Sequence, residues 1–290
     1  MTFQSLEYLI FLPVVFILYW TVCRRSKMLQ NGFIVAASLW FYGWWDWRFL
    51  GLLLLTAFST FFAGWWMGRI DNQRKRKMLL VCTIVFNLGF LFFFKYFNFF
   101  VQAFVDAFSI FGMEMSASTL QILLPVGVSF YTFTALSYSI DVYLRKVERT
   151  KDVLAYLAYV MFFPSILSGP ISRAQKQLPQ YFKLRSFDYD KVVDACKLLL
   201  LGGGMKLCLA DRLGIYVDTV YANIAQHNGT TLFFTSILYT IQIYADFAGY
   251  SLMAIGSGKL LGIFKDPSHL NDKGAKFYTQ LVIKEVNNNE

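Results

Sequence analysis

The chain has 290 residues, is 57% hydrophobic and only 16% charged, and contains 31 Phe, 17 Tyr and 7 Trp. Soluble domains sit nearer roughly 45–50% apolar and 25% charged, so an ordinary soluble domain is excluded; the apolar runs are continuous, which also argues against a membrane β-barrel. The net charge of +9 sits in short basic segments between apolar runs, as cytoplasmic loops require, and anionic lipid head groups are sufficient partners for it without nucleic acid.

Leu6 to Val22 is the first apolar run. Glu7 lies at its start and Arg24, Arg25 and Lys27 follow it, the reverse of a secretory signal. It reads as a retained helix with its amino end outside, kinked at Pro13. Leu29 to Trp45 comes next and ends among Trp40, Trp44, Trp45 and Trp47, which suit the head-group belt. Asp46 and Arg48 make a short outer turn. Phe49 to Gly68 then returns to a strongly basic loop, Arg69 to Lys77. Alternation puts Arg24–Lys27 and Arg69–Lys77 on one side, the cytoplasmic one. Met78 to Phe97 crosses back. Phe99 to Phe111, with Gln102 and Asp106, is too short to span and is expected as a separate interfacial or partly buried helix.

Leu120 to Tyr143 is expected as one helix with Tyr131, Thr134, Tyr138 and Asp141 on a single face. Asp141 has two readings: a group facing a polar path, or a surface ion pair with Arg145 or Lys146. Val153 to Ser168 contains Pro164 and ends in Ser168–Gly169–Pro170, with basic residues on both flanks. That predicts a re-entrant segment, with a tilted span as the alternative. Asp190 to Gly214 reads as a helix. Its Gly202–Gly204 run does not fit the phosphate-loop pattern and points to close packing or a flexible break. Ile215 to Gly229 is expected as a loop or short surface helix.

Leu232 to Gly262 is the most informative stretch. It is apolar enough to lie in a membrane, yet it carries Asp246. A carboxylate in hydrocarbon costs several kcal/mol, so it should face protein or a water-filled cavity. Tyr239, Gln242, Asp246 and Tyr250 fall at helical spacing on one face, while Ala245, Gly249 and Gly256 form a small-residue seam. The stripe either lines a site or is a satisfied hydrogen-bond network without chemistry. Beyond Gly262 the composition turns polar. Cys23, Cys82, Cys196 and Cys208 form no CxxC pair, and His227 and His269 lack ligand spacing, so no metal site is predicted.

Four segments, in this order, resemble the membrane-bound O-acyltransferase family: FYGWW (Phe41–Trp45), LPVGVSFYTFTALSYSIDVY (Leu124–Tyr143), FFPSILSGPISR (Phe162–Arg173) and QIYADFAGYSLMAIGSGKLLG (Gln242–Gly262). The similarity is to the branch that acetylates alginate and transfers D-alanine to teichoic acid. It covers roughly residues 1–263 and leaves 264–290 as a polar, divergent tail. The resemblance implies an all-α, polytopic fold of about 7–9 membrane helices, with re-entrant or interfacial segments, in the inner or plasma membrane. It implies transfer of an acyl group, acetyl in the first instance, from a cytoplasmic thioester to a hydroxyl of an exported or cell-envelope polysaccharide. The donor would be acyl-coenzyme A or an acyl-carrier thioester, with no bound cofactor. Membrane lipids and an acyl-transfer protein outside the membrane are further expected partners.

Within that resemblance Gln242, Tyr244, Asp246, Tyr250, Ser251, Tyr138 and Asp141 are the supporting or substrate-channel candidates. Ser168, Gly169, Pro170 and Arg173 are the re-entrant-loop candidates. The family's presumed catalytic His lies on a W-x-x-W-H-[IV]-S stretch shortly after DFAGYS, where it would act as general base. No Trp follows Gly262 here, and His269 sits in DPSHLND, so the catalytic role is not carried over to any residue. The expectation is an acyltransferase region cut short before its base, with the activity of this chain left open. The alternatives are a transporter or channel lined by Asp141 and Asp246, which lacks the support of an internal duplication, and a non-catalytic remnant.

Overall fold

The computed structural model describes residues 3, 5–110, 125–167, 169 and 173–264. These residues are helical with no strand among them, as the composition predicts. They fall into two compact units. The first takes the described residues of Ser26–Leu167 and Arg173–Lys183; the second takes those of Thr2–Arg25, Ser168–Ser172 and Leu184–Glu290.

In the first unit, α2 (Lys27–Gly43) starts at Ser26, whose hydroxyl accepts from the Met28 amide. It runs about 25 Å at 1.5 Å per residue. Its far end carries the exposed Trp40 and Trp44, and the exposed Trp47 opens the short 3-10 turn that follows. Helix α3 (Leu50–Met67) follows, then α4 (Gln73–Ile110) and α5 (Val128–Tyr143). Helix α3 packs on α5 through Gly64, where any Cβ would overlap the Tyr138 ring. The buried Tyr138 hydroxyl accepts from the Thr150 amide at 3.0 Å, and the Tyr156 and Thr60 hydroxyls lie 2.7 Å apart.

The basic segments meet at one end of this unit. The Arg76 Nη2 donates to the carbonyls of Val142 and Tyr143, both at 3.0 Å. The Arg149 side chain lies across Gly68, and Lys27 approaches Asp152 at 3.9 Å. Thus the loops 69–77 and 145–151 share a side, as their charge requires.

Helix α4 is inverted relative to a soluble helix. Its buried face carries Arg76, Leu80, Thr83 and Asn87, while Met78, Val81, Val85 and Phe92 are exposed. Polar groups inside and apolar groups outside are what a hydrocarbon solvent demands. Among the described residues two helices are long and apolar enough to cross a membrane, Trp47–Met67 and Gln73–Phe97.

Three expectations change, and for a fourth stretch one of two readings is set aside. There is no break before Phe99: α4 is one helix of 38 residues. The stretch 90–110 has neither Gly nor Pro to end it, although the side chains of Gln102 and Asp106 lie outside the description. The helix expected from Leu120 starts only at Val128. Pro125 and the left-handed Gly127 (φ 75°) precede it, and residues 120–124 lie outside the described ones. A Cβ on Gly127 would strike the Ile166 carbonyl, which makes glycine necessary there twice over. Of the two readings of Val153–Ser168, re-entrant segment or tilted span, the single long span is not found. The stretch forms α6 (Val153–Val160) and α7 (Phe163–Ile166), parted at Met161–Phe162, where the Phe163 amide donates to the Ser38 hydroxyl at 3.1 Å. These helices are about 12 and 6 Å long, and their backbone is enclosed by protein. Finally, residues after Ile215 continue a helix, described below. Helix α8 (Ala174–Tyr181) completes the first unit.

Candidate functional site

The polar cluster lies in the second unit and is built from three consecutive helical segments and one long helix. Helix α9 (Tyr189–Gly204) is capped by Asp188, whose carboxylate accepts from the Lys191 amide and pairs with its ammonium. That bond holds the Asp188 carboxyl below its ordinary range, so the cap is complete at neutral pH and is lost as acid protonates it. A π-helical segment, Met205–Ala210, follows directly, and then α10 (Asp211–Ala222). Helix α11 (Gly229–Leu260) starts at Asn228, whose side chain accepts from the Thr231 amide.

Helix α11 meets α9 along its small-residue seam. A Cβ on Gly249 would lie 2.8 Å from the Gly202 carbonyl oxygen, and one on Gly256 would lie 2.9 Å from that of Ala195. The backbones touch because no side chain intervenes. Gly202 thus serves close packing, whereas Gly203 and Gly204 meet nothing within 4 Å.

Beside the seam sits Lys206, with its side chain only 12% exposed. Its ammonium is 2.8 Å from Asp211 Oδ1 and 2.5 Å from Asp246 Oδ1, and 5.2 Å from the centre of the Tyr250 ring. The π segment explains the triad. Residues five apart on an α-helix point about 140° from each other, but the wider π turn brings positions i and i+5 nearly onto one face. Lys206 and Asp211 are such a pair. Asp246 is therefore paired with an ammonium that it shares with Asp211. Gln242 reaches α10, its amide nitrogen 2.9 Å from where a Gly214 Cβ would stand. The Gln242 Oε1 and Ser251 Oγ are buried without a hydrogen-bond partner among the described residues. Tyr239 stacks edge-on with Tyr221 at 6.0 Å.

Helix α1 (Leu6–Thr21) closes on the other end of α11. The Tyr8 and Ser257 hydroxyls are 2.5 Å apart, and Trp20 Nε1 donates to the Leu260 carbonyl at 2.9 Å. Phe3 lies against Tyr250 at 5.8 Å. Tyr8→Phe is expected to lower stability by about 1 kcal/mol, the net worth of one hydrogen bond. The double variant with Ser257→Ala should cost less than the sum of the two single changes, read from denaturant unfolding in micelles.

The structure brings Gln242, Asp246 and Tyr250 onto one face with Lys206, as the spacing predicts. Tyr244 is 60% exposed on the opposite face and does not join them. Tyr138 and Asp141 belong to the first unit. Asp141 accepts from the Gln175 amide at 3.3 Å and forms no ion pair among the described residues, so neither Arg145 nor Lys146 is its partner. Gly169 is buried and Arg173 exposed ahead of α8; Ser168, Pro170 and His269 lie outside the described residues. His227 ends a short 3-10 turn, Ile224–Gln226, and is partly exposed. No group of three or more His, Cys, Asp or Glu side chains that could hold a metal gathers among the described residues. Lys206 is the member that sequence reading misses as a partner of Asp246. Its signal was a single ammonium inside the apolar run LLLLGGGMKLCLA.

No family model matches the chain. Among curated proteins it is 37% identical over 266 residues to the probable alginate O-acetylase of Pseudomonas aeruginosa, covering 90% of this chain and 50% of that protein. It is 26% identical over 289 residues to the peptidoglycan O-acetyltransferase of Helicobacter pylori, covering 90% and 54%. With the teichoic acid D-alanyltransferase of Lacticaseibacillus rhamnosus it shares 25% identity over 167 residues, 54% of this chain and 41% of the other. The chain thus spans about half the length of the curated relatives it matches. Similarity runs through nine-tenths of a chain whose long helix is apolar outside and polar inside, and across about half of each of these O-acetyltransferases, in keeping with the resemblance to the membrane-bound O-acyltransferase family.

Proposed function

We infer that this chain forms the donor-side wall of a membrane O-acyltransferase, multi-pass in the inner or plasma membrane with about 7–9 membrane helices. The acyl group, acetyl by preference, comes from a cytoplasmic thioester of coenzyme A or an acyl carrier. The acceptor is a hydroxyl of an exported or envelope polysaccharide, delivered with the help of an acyl-transfer protein outside. The observation that carries this reading is the 37% identity to an alginate O-acetylase over 266 residues.

In the reaction the acceptor oxygen attacks the thioester carbonyl carbon while its proton passes to a general base. The tetrahedral intermediate then collapses, the C–S bond breaks, and the thiol leaves with a proton. The resemblance assigns the base to a His on a W-x-x-W-H-[IV]-S stretch, which does not occur in these 290 residues. The Lys206–Asp211–Asp246 triad, with Gln242, Tyr250 and Ser251, supports the approach to that base. A transporter lined by Asp141 and Asp246 is disfavoured, because Asp246 is already engaged in an ion pair with Lys206.

The test adds sequence from a relative. The chain is joined to the half of the P. aeruginosa relative that it does not match, placed in membranes, and given acetyl-labelled coenzyme A with de-O-acetylated alginate. Ester-linked label in the polymer is the expected result, and Asp246→Asn should reduce it roughly tenfold or more, as a misplaced reactant does. Solute flux through proteoliposomes without any polymer label would sink the acyltransferase reading and favour a transporter.

A further inference from the structure

The outer end of the α10–α11 pair carries a group of side chains that the triad does not explain. Trp20 Nε1 donates to the Leu260 carbonyl. Arg24 and Arg25 follow Trp20 closely, so α11 ends on the basic, inner side. Tyr239 stands about 30 Å back along α11, the thickness of the hydrocarbon, and therefore at the outer head-group level.

At that level the two helices present Tyr221 and Tyr239, with ring centres 6.0 Å apart and planes at 85°. The pair forms an open corner. The Tyr221 and Ser236 hydroxyls are 3.2 Å apart, and the Thr240 hydroxyl donates to the Ser236 carbonyl at 3.0 Å. Tyr239 is 44% exposed, Ser236 is exposed and Tyr221 partly so. The opposite face of these turns is apolar, with Phe234 and Ile237 exposed, so the polar groups are gathered on the α10 side. From the corner the same face runs inward through Gln242 to Asp246, where the Asp211 and Asp246 side chains are themselves partly open.

A pyranose ring has an apolar C–H face rimmed by hydroxyls. An aromatic face covers the first, and hydroxyls beside the ring pair with the second. A lipid chain would use the rings and leave the hydroxyls idle. A phosphate would find no cation among these groups. Tyrosines of a head-group belt would account for the rings, but not for the polar face that leads from them to the triad. Tyr239 and Asp246 are about 10 Å apart along the axis, the reach of about two sugar units.

We propose that Tyr221 and Tyr239, with Ser236, bind a pyranose unit of the acceptor polysaccharide, stacking its C–H face on Tyr239 and bringing a neighbouring unit's hydroxyl beside the Lys206–Asp246 pair. The identity of the ligand as acceptor rests on the acyltransferase reading, whereas binding is measured without any transfer.

The experiment is titration of the full chain, in phosphocholine micelles that bear no sugar head groups, with two hexasaccharides. One is a de-O-acetylated alginate hexamer, whose rings carry carboxylates; the other is chitohexaose, whose rings do not. Saturation-transfer NMR reads the affinity and reports whether sugar C–H protons face the aromatic rings. Wild type should bind at least one of them, and the one it binds names the acceptor class. Tyr239→Ala and Tyr221→Ala should each weaken that binding roughly fivefold, the scale of one aromatic contact. Tyr239→Leu should be as weak as Tyr239→Ala, because it lacks the flat face, whereas Tyr239→Phe keeps the ring and should bind within about twofold of wild type. Phe234→Ala, on the far face, should bind as wild type does. In the protein joined to the unmatched half of the P. aeruginosa relative, Tyr239→Ala should raise KM for the polymer roughly fivefold and leave KM for acetyl-coenzyme A unchanged. No binding of either hexasaccharide by wild type, alanine variants that bind as wild type does, or equal weakening by Phe234→Ala would each overturn the proposal. Sugar binding that follows this pattern without any acyl transfer would support the site and count against the acyltransferase reading alone.

Discussion

Lys206→Met should destabilise the second unit by about 3 kcal/mol, the low end of the range for removing one member of a buried ion pair. The low end applies because the Asp211 and Asp246 side chains stay partly exposed, at 38% and 44%, while Lys206 is nearly enclosed. The loss comes from leaving two carboxylates side by side against α11 with no counter-charge. Asp246→Asn in the Lys206→Met background removes one of those charges and should recover most of the stability, giving a clear interaction energy in a double-mutant cycle. Denaturant unfolding followed by tryptophan fluorescence in micelles is the measurement. If Lys206→Met proves as stable as wild type, the triad does not hold the π segment to α11.

The second large effect is steric. Gly249→Ala places a methyl 2.8 Å from the Gly202 carbonyl oxygen and 3.1 Å from the Lys206 amide, and both are backbone atoms that cannot swing aside. Overpacking of this kind costs about 1–3 kcal/mol, more than the roughly 1 kcal/mol that alanine gains over glycine within a helix. Gly249→Leu should abolish the α9–α11 contact altogether. Gly203→Ala is the internal control: its Cβ meets nothing within 4 Å, so it should stabilise by up to about 1 kcal/mol. Similar midpoints for Gly249→Ala and Gly203→Ala would refute the close approach.

These two predictions differ in how far sequence could reach them. The seam of Ala245, Gly249 and Gly256 was legible because helical period is a local property. Which helix filled it was not, since Gly202 is one of several small residues in apolar runs and nothing local ranks them. The stripe of Gln242, Asp246 and Tyr250 was legible for the same reason; Tyr244, a supporting candidate two residues before Asp246, was never part of that face. On a helix it falls about 200° away, which the structure shows as exposure. Helix α4 was divided because a membrane span was expected to end where the bilayer does. Residues without a Gly or Pro do not stop for that reason, and the helix simply continues.

Composition, apolar period and charge placement by themselves determined that the described residues are helical, that loops 69–77 and 145–151 share a side, and that four ordered segments carry the family likeness. Each of these depends on residues near one another in sequence. Tertiary structure alone decided the rest. Lys206 reaches Asp211 through the wider turn of a π segment, which leaves no trace in composition. It reaches Asp246 across a helix contact set by backbone approach at Gly202 and Gly249. Trp20 finds Leu260 across 240 positions, where only packing, and no local periodicity, selects the partner.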